Sequence, residues 1–213
     1  MGYHYVDMEQ YKRRDHFSYF QSLAFPYVGT TVQVEITGLY DLVKEKELPF
    51  FLTFCYCAAR AANRIPELRQ RIKEGKILEY DSCRTSHTVA LEDGTYCYCT
   101  LDPSMDFREY LPYAQRAQEA AKEEASIQEE EDGALEYFFI TTVPWLSYTS
   151  LIQPVPVPAD SNPRISWGKY FREGDRLLMP VSILCHHGLV DGRHIGLFYE
   201  LLGQEMERLE KEL

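Results

Sequence analysis

The segment Cys185-His186-His187-Gly188-Leu189-Val190-Asp191-Gly192 concentrates the side chains of this sequence best suited to acid–base chemistry. An imidazole titrates near neutrality, so a histidine can take a proton from a substrate hydroxyl and give it up again within one turnover. A carboxylate four residues further on, followed by glycine, fits a tight turn that brings Asp191 back beneath His187. The apolar run before the histidines reads as a buried strand, and the residues from Gly192 onward read as a helix. Such strand-to-helix junctions are where α/β folds present reactive groups. A plainer reading has the tandem histidines packed at a strand end and Asp191 serving only as a helix cap. Spacing alone leaves both readings open.

The elements around this segment follow from hydrophobic period and punctuation. From about Gly192, Ile195, Phe198, Leu202, Met206, Leu209 and Leu213 recur every three or four residues, the stripe of an amphipathic helix. Arg164–Tyr170 and Arg176–Cys185 read as strands flanking a Glu173-Gly174-Asp175 turn. Tyr137–Thr142 reads as another buried strand, and the four prolines between Gln153 and Pro163 mark an irregular segment. Asp7 with Gln10 fits a capping box opening a short helix through Tyr11, Arg14 and Phe17. Thr30–Ile36 alternates as a half-buried strand, and Gly38 opens a short helix through Leu42 and Val43. Pro49 suits the first position of a longer, buried helix that ends before Pro66. Between Lys76 and Leu101 three strand-like runs occur, with Glu92-Asp93-Gly94 as a hairpin signal. A long helix is expected from Asp106 to about Glu130, its acidic second half solvated and fraying at Asp132-Gly133. Strands and helices interleave throughout, with no repeat and no linker, which describes one α/β domain over residues 1–213.

Composition narrows the function classes. The 22 Lys+Arg against 33 Asp+Glu give a formal net charge of −11 over 213 residues, a balance that repels nucleic acid and anionic membrane surfaces. No apolar run reaches the ~18 residues of a membrane span, and the first residues lack a secretory pattern. The cysteines at 55, 57, 83, 97, 99 and 185 form two C-x-C pairs and two singles, without zinc-type spacing. Reduced core thiols and a cytoplasmic setting are expected, with no metal site.

Four stretches add a resemblance to these readings. The run HHGLVDG resembles the H-H-x-x-x-D-G signature of the chloramphenicol acetyltransferase family, whose H-x-x-x-D-G core is shared with the acyltransferase domains of 2-oxo acid dehydrogenase complexes. Tyr11–Phe17 (YKRRDHF) resembles the family's aromatic-x-R-x-x-H-F start, and Phe20–Ile36 continues in similar register. Tyr137–Trp145 (YFFITTVPW) is similar to the strand ending in P-W, and Gly168–Pro180 to the G-K-Y-x-x-x-G-D-x-x-x-x-P run. The likeness spans essentially the whole chain. It implies a two-layer sandwich of a mixed β-sheet with helices on one face, direct acetyl transfer from acetyl-CoA to a hydroxyl, and a homotrimer with active sites at subunit interfaces. His187 then matches the general base, Asp191 a carboxylate that does not touch substrate, and Arg13 the arginine that braces it. His186 and His194 are left with structural parts.

The resemblance also assigns the remaining positions. Thr141 matches the serine that donates to the oxyanion, keeping its hydroxyl but adding a methyl group. Ser166 matches a threonine that contacts the intermediate through water. Trp145 and Tyr170 match aromatic positions near the coenzyme channel, for which core packing is the alternative account. Phe20, Ala24, Thr88, Tyr96, Tyr98 and Phe139 match acceptor-pocket positions. Phe20 stands where tyrosine is frequent, Tyr98 where a small residue is usual, and Pro26 where cysteine is common. Lys169 and Lys12 are candidates for cations at the channel mouth. The leading expectation is O-acetylation of a small hydroxylated molecule, with chloramphenicol as the named acceptor. Alternatives are the same chemistry on another alcohol or amine, and a non-catalytic trimeric binding protein on this fold.

Overall fold

A strand that is apolar on both faces must lie inside a sheet, and a helix with one apolar stripe must lie on one. The computed structural model describes residues 2–127 and 134–213 and arranges them in this way. In chain order the elements are β1 (Tyr3–Tyr5), α1 (Arg14–Gln21), β2 (Tyr27–Glu35), α2 (Thr37–Glu45), α3 (Phe50–Asn63) and α4 (Pro66–Arg69). They continue with β3 (Gln70–Lys73), β4 (Lys76–Tyr80), β5 (Arg84–Ala90), β6 (Tyr96–Leu101), α5 (Phe107–Glu124) and β7 (Tyr137–Val143). The last are β8 (Arg164–Gly168), β9 (Phe171–Glu173), β10 (Arg176–His186) and α6 (Gly192–Glu212).

The large sheet runs β2-β10-β8-β7-β5-β6, with β9 folded onto the first residues of β10. β7 is parallel to both β5 and β8, and the other pairings are antiparallel, so the sheet is mixed. A small antiparallel sheet, β1-β4-β3, stands beside it. Ile165, Trp167, Met179, Val181, Ile183 and Cys185 point to the core shared with Phe54 and Ala58 of α3 and Phe198 and Leu202 of α6. The alternate residues, Phe139, Thr141, Ser166 and Ser182 among them, therefore face the other side of the sheet. This is the two-layer arrangement that the resemblance implies. α3 is buried along nearly its whole length, with Phe54 through Ala59 at most 1% exposed. All six cysteines are free and buried.

Several boundaries differ from the sequence reading. Asp7 accepts from the Glu9 backbone and from Gln10, but closes a turn; α1 begins only at Arg14. Pro49 is the cap of α3 and not its first helical residue. The strand before the histidines is preceded by two elements, β8 and β9, and it is β9 that shares the Glu173-Gly174-Asp175 turn with β10. β1 and β3 are too short and too polar to have left a period-2 signal. α5 stops at Glu124, where Ala125 turns into the left-handed region (φ 50°). The expected continuation to Glu130 falls partly on residues 128–133, outside the described residues.

His87 is a polar group inside this core. It is 2% exposed, its Nε2 accepts from the Gln118 amide at 3.0 Å, and its Nδ1 has no partner among the described residues. Burial holds its pKa down to about 4, against the ordinary 6.5. The unfolded chain therefore binds a proton at His87 between those values that the folded chain does not, and stability is lost as pH falls through that window. Two and a half units correspond to about 3 kcal/mol at most. His87→Gln should flatten the fall in urea midpoint between pH 6.5 and 4; an unchanged slope would show that His87 does not resist protonation in the fold.

Candidate active site

β10 ends at His186, and residues 187–190 form the turn that leads into α6. His186 is 3% exposed; its Nδ1 accepts from the Gly188 N–H at 3.1 Å, and burial lowers its pKa to about 4. Space at Gly188 is tight: a Cβ would stand 3.0 Å from His186 Nδ1 and 3.3 Å from the Phe17 ring, so a larger residue would push on both rings. The two histidines thus divide into a packed neutral ring and a half-exposed one. His187 is the second: its N–H donates to the Pro26 carbonyl at 2.7 Å, and its Nδ1 lies 3.0 Å from the Val190 carbonyl. A carbonyl only accepts, so Nδ1 carries the ring hydrogen and Nε2 keeps a free lone pair. The ring stacks on Phe20 of α1, with centroids 3.8 Å apart and planes inclined by 14°.

Asp191 has both functions that the sequence left open. Its Oδ1 accepts from the Arg193 N–H at 3.0 Å and faces the His194 N–H at 3.5 Å, capping α6. Its Oδ2 pairs with Arg13, whose second amino group donates to the His187 carbonyl at 3.3 Å. Burial would raise the carboxyl, but the charge that His194 carries when protonated, with Arg13 and the Arg193 N–H, outweighs it and holds the group below the ordinary aspartate range. With both oxygens engaged by the protein, Asp191 has no free position from which to meet a substrate.

The other assigned residues lie elsewhere in the chain. Thr141 on β7 is level with Ser166 on β8, Ser166 with Ser182 on β10, and Ser182 with Thr31 on β2, a row of hydroxyls across four strands. Ser182 and Thr31 bond one another at 2.7 Å, and Ser166, fully buried, accepts from the Gln153 amide at 3.1 Å. Among the described residues the Thr141 hydroxyl has no partner. Phe139 shares this face, with the Arg164 guanidinium 5.4 Å from its ring centre. Thr88 and Tyr98 pair across β5 and β6, with the Tyr96 ring 5.9 Å from that of Tyr98. Ala24 is exposed in the link between α1 and β2.

His187 lies five residues beyond Ser182, which is roughly 17 Å along the sheet, and Thr141 lies two strands across, roughly 10 Å. One chain therefore brings His187, Asp191, Arg13 and Phe20 together, and holds Thr141, Ser166 and Phe139 well apart from them. Core packing does not account for Trp145, which is 79% exposed. Tyr170 meets Tyr40 edge-on at 5.2 Å and, with Lys44 and Phe50, lines a cavity of about 510 Å³. Lys169 adjoins Tyr170, whereas Lys12 lines a separate cavity beside Arg13 and Glu67. Sequence reasoning did not find the Pro26 and Val190 carbonyls, which orient His187 through backbone atoms. Glu67 was also missed. The D-G-x-H pattern of Asp191 and His194 was the available signal for the capping box, with histidine where Glu or Gln is usual.

The sequence profile described as chloramphenicol acetyltransferase matches residues 1–203. The chain belongs to the chloramphenicol acetyltransferase family. A chloramphenicol acetyltransferase of Klebsiella sp is 34% identical over 208 residues, covering 95% of this chain and 93% of the relative. One of Escherichia coli is 33% identical over 206 residues, with the same coverage. A solved structure titled chloramphenicol acetyltransferase superposes with a TM-score of 0.89 at 27% identity, covering 96% of this chain and all of that one. A probable dihydrolipoamide acetyltransferase from Listeria monocytogenes 4b F2365 shares the fold at a TM-score of 0.63 and 17% identity, covering 95% and 94%. Family membership makes this chain an acyltransferase by class, and its solvated side chains leave the Arg13–Asp191 pair only partly shielded, at 17% and 33% exposure. Asp191→Asn should therefore cost about 1–3 kcal/mol, less than the loss of a fully buried partner. In a double-mutant cycle with Arg13→Ala, a coupling above about 0.5 kcal/mol is expected; full additivity would mean the two do not pair in solution.

Proposed function

We propose that this chain transfers the acetyl group of acetyl-CoA to a hydroxyl of chloramphenicol, in a cytoplasmic homotrimer whose active sites are shared between subunits. The observation that carries the chemistry is the His187 ring: Nδ1 is fixed by Val190, Nε2 is free, and the carbonyl of His187 is held by the Arg13–Asp191 pair. Nε2 takes the proton of the acceptor hydroxyl as its oxygen attacks the thioester carbonyl. The tetrahedral intermediate then collapses, the carbon–sulfur bond breaks, and the proton passes from His187 to the departing thiolate. The Phe20 ring stacked on His187 holds the plane of the imidazole while the proton is transferred. Thr141 is the proposed oxyanion donor and Ser166 the anchor of a bridging water. Trp145 and Tyr170 are the proposed walls of the coenzyme channel, and Phe20, Ala24, Thr88, Tyr96, Tyr98 and Phe139 the acceptor pocket.

The shared site is supported by the separation of the two groups of residues. A base and an oxyanion donor must both lie within hydrogen-bond reach of one reacting carbon, and roughly 20 Å of sheet lies between His187 and Thr141 in one chain. A neighbouring copy supplies the missing half. The segment between β7 and β8 offers apolar surface for it, with Leu146 61%, Ile152 96% and Val157 97% exposed. The net charge of −11 and the absence of a membrane-length helix among the described residues agree with a small-molecule enzyme.

His187→Ala should abolish nearly all thiol release from acetyl-CoA in the presence of chloramphenicol and leave the protein folded. Mixing His187→Ala chains with Thr141→Ala chains should restore about one quarter of the sites in randomly assembled trimers. Mixtures no more active than their parts would sink the shared site, and a turnover near that of the parent in His187→Ala would sink the mechanism.

The Thr141 assignment has its own test. Thr141→Ala should lower kcat by roughly 10²–10³, the usual loss for one oxyanion donor, with coenzyme binding unchanged. Thr141→Ser should keep the activity or raise it. Thr141→Val keeps the shape and removes the hydroxyl, so a fully active Val variant would end the assignment.

A further inference from the structure

We propose that Glu67 and His194 are positioning residues of the acyl transfer: they set the carboxylate of Asp191 and, through Arg13, the backbone that carries His187. This rests on the function proposed above, and it adds two residues from outside the reacting centre. Glu67 is in the single turn of α4, immediately after Pro66, and its Oε1 lies 3.5 Å from His194 Nε2. On the other side of the same ring, His194 Nδ1 accepts from the Asp191 N–H at 3.1 Å and stands 3.0 Å from Asp191 Oδ1. The ring is 15% exposed, and the three groups line the floor of a cavity of about 760 Å³ with Arg13 and Tyr11. The connection then runs from Asp191 Oδ2 to Arg13 and from Arg13 to the His187 carbonyl.

The reason for a carboxylate at position 67 is the ring itself. A capping box ordinarily places Glu or Gln at the third helical position, and either supplies an acceptor oxygen without regard to a proton. An imidazole caps the backbone N–H of Asp191 only when Nδ1 carries a lone pair, which puts the ring hydrogen on Nε2. Glu67 faces that hydrogen and so selects both the tautomer and the ring orientation, much as a carboxylate fixes a metal-bound histidine. The contact with His194 at 3.5 Å, aided by the residue's own backbone N–H, by the charge that His194 carries when protonated and by Arg13, outweighs burial and holds the Glu67 carboxyl below the ordinary glutamate range. If the ring turned over, the Asp191 N–H would lose its acceptor. Asp191 would then tilt away from Arg13, and the tension on the His187 carbonyl would be released.

The test separates positioning from simple stability. Glu67→Ala should lower kcat about tenfold while the KM values for acetyl-CoA and chloramphenicol stay within twofold. Glu67→Gln, which retains an acceptor, should recover most of the loss. His194→Asn keeps a side-chain oxygen for the Asp191 N–H, and in that background Glu67→Ala should have no further effect on kcat. A kcat for Glu67→Ala within twofold of the parent, or an equal loss in both backgrounds, overturns the proposal. Nitrogen-15 spectra of the ring supply a readout without turnover: His194 should be the Nε2–H tautomer in the parent and a mixture in Glu67→Ala. An unchanged tautomer also overturns it, whichever molecule the enzyme acetylates.

Discussion

The guanidinium of Arg13 at the start of α1 meets the carboxylate of Asp191 at the start of α6, and the turn bearing His187 is suspended between them. β10 gives that turn no ladder beyond His186, which pairs with Tyr27. What remains to fix it is a handful of bonds: the Pro26 carbonyl to the His187 N–H, the Arg13 amino group to the His187 carbonyl, and the cap that Asp191 places on α6. Asp191 commits one oxygen to the helix and the other to the arginine. It is therefore a support and not a second base, which leaves His187 Nε2 as the proton acceptor of the turn. Only a few hydrogen bonds hold the ring, and a misplacement of an ångström is costly in catalysis.

The mixed sheet imposes a second constraint. Helices cover one face, so residues that alternate outward along β7, β8 and β10 form a second face of hydroxyls and aromatic rings, on which the segment between β7 and β8 lies through Tyr148 against Ser182 and Gln153 against Ser166. Thr141 and Ser166 share a row on this surface, while His187 lies past the end of a strand two positions away. Rigid sheets cannot fold such points together. The geometry that keeps the oxyanion donor and the base apart within one chain is the same geometry that makes a second copy a chemical requirement of the proposed reaction.

Much of the fold was legible because its signals are local. The stripe of α6, the apolar helix after Pro49 and the hairpin at Glu92-Asp93-Gly94 each depend on residues within a turn or two of one another. The short strand β1 carries no such pattern, since its pairing with β4 is decided by neighbours up to 77 positions away, as between Tyr3 and Tyr80. The helix expected to start at Asp7 failed for a different reason. Asp7 and Gln10 do bond one another, but side chain to side chain and not in the reciprocal pattern of a capping box, so they close a turn and α1 waits for Arg14.

By itself, the sequence determined the class of fold, the position of the reactive histidine between a strand and a helix, and the family to which the chain belongs. These depend on period, punctuation and motif spacing, all written along the chain. Motif resemblance singled out the second of two adjacent histidines, but only the tertiary structure gives the cause, which is burial of one ring and a carbonyl that receives the hydrogen of the other. Tertiary structure also decided that Asp191 both caps and pairs, and that Glu67 meets a ring 127 positions further on. Those facts rest on contacts between side chains and backbone atoms that are distant in sequence, and such contacts exist only once the sheet and helices have packed.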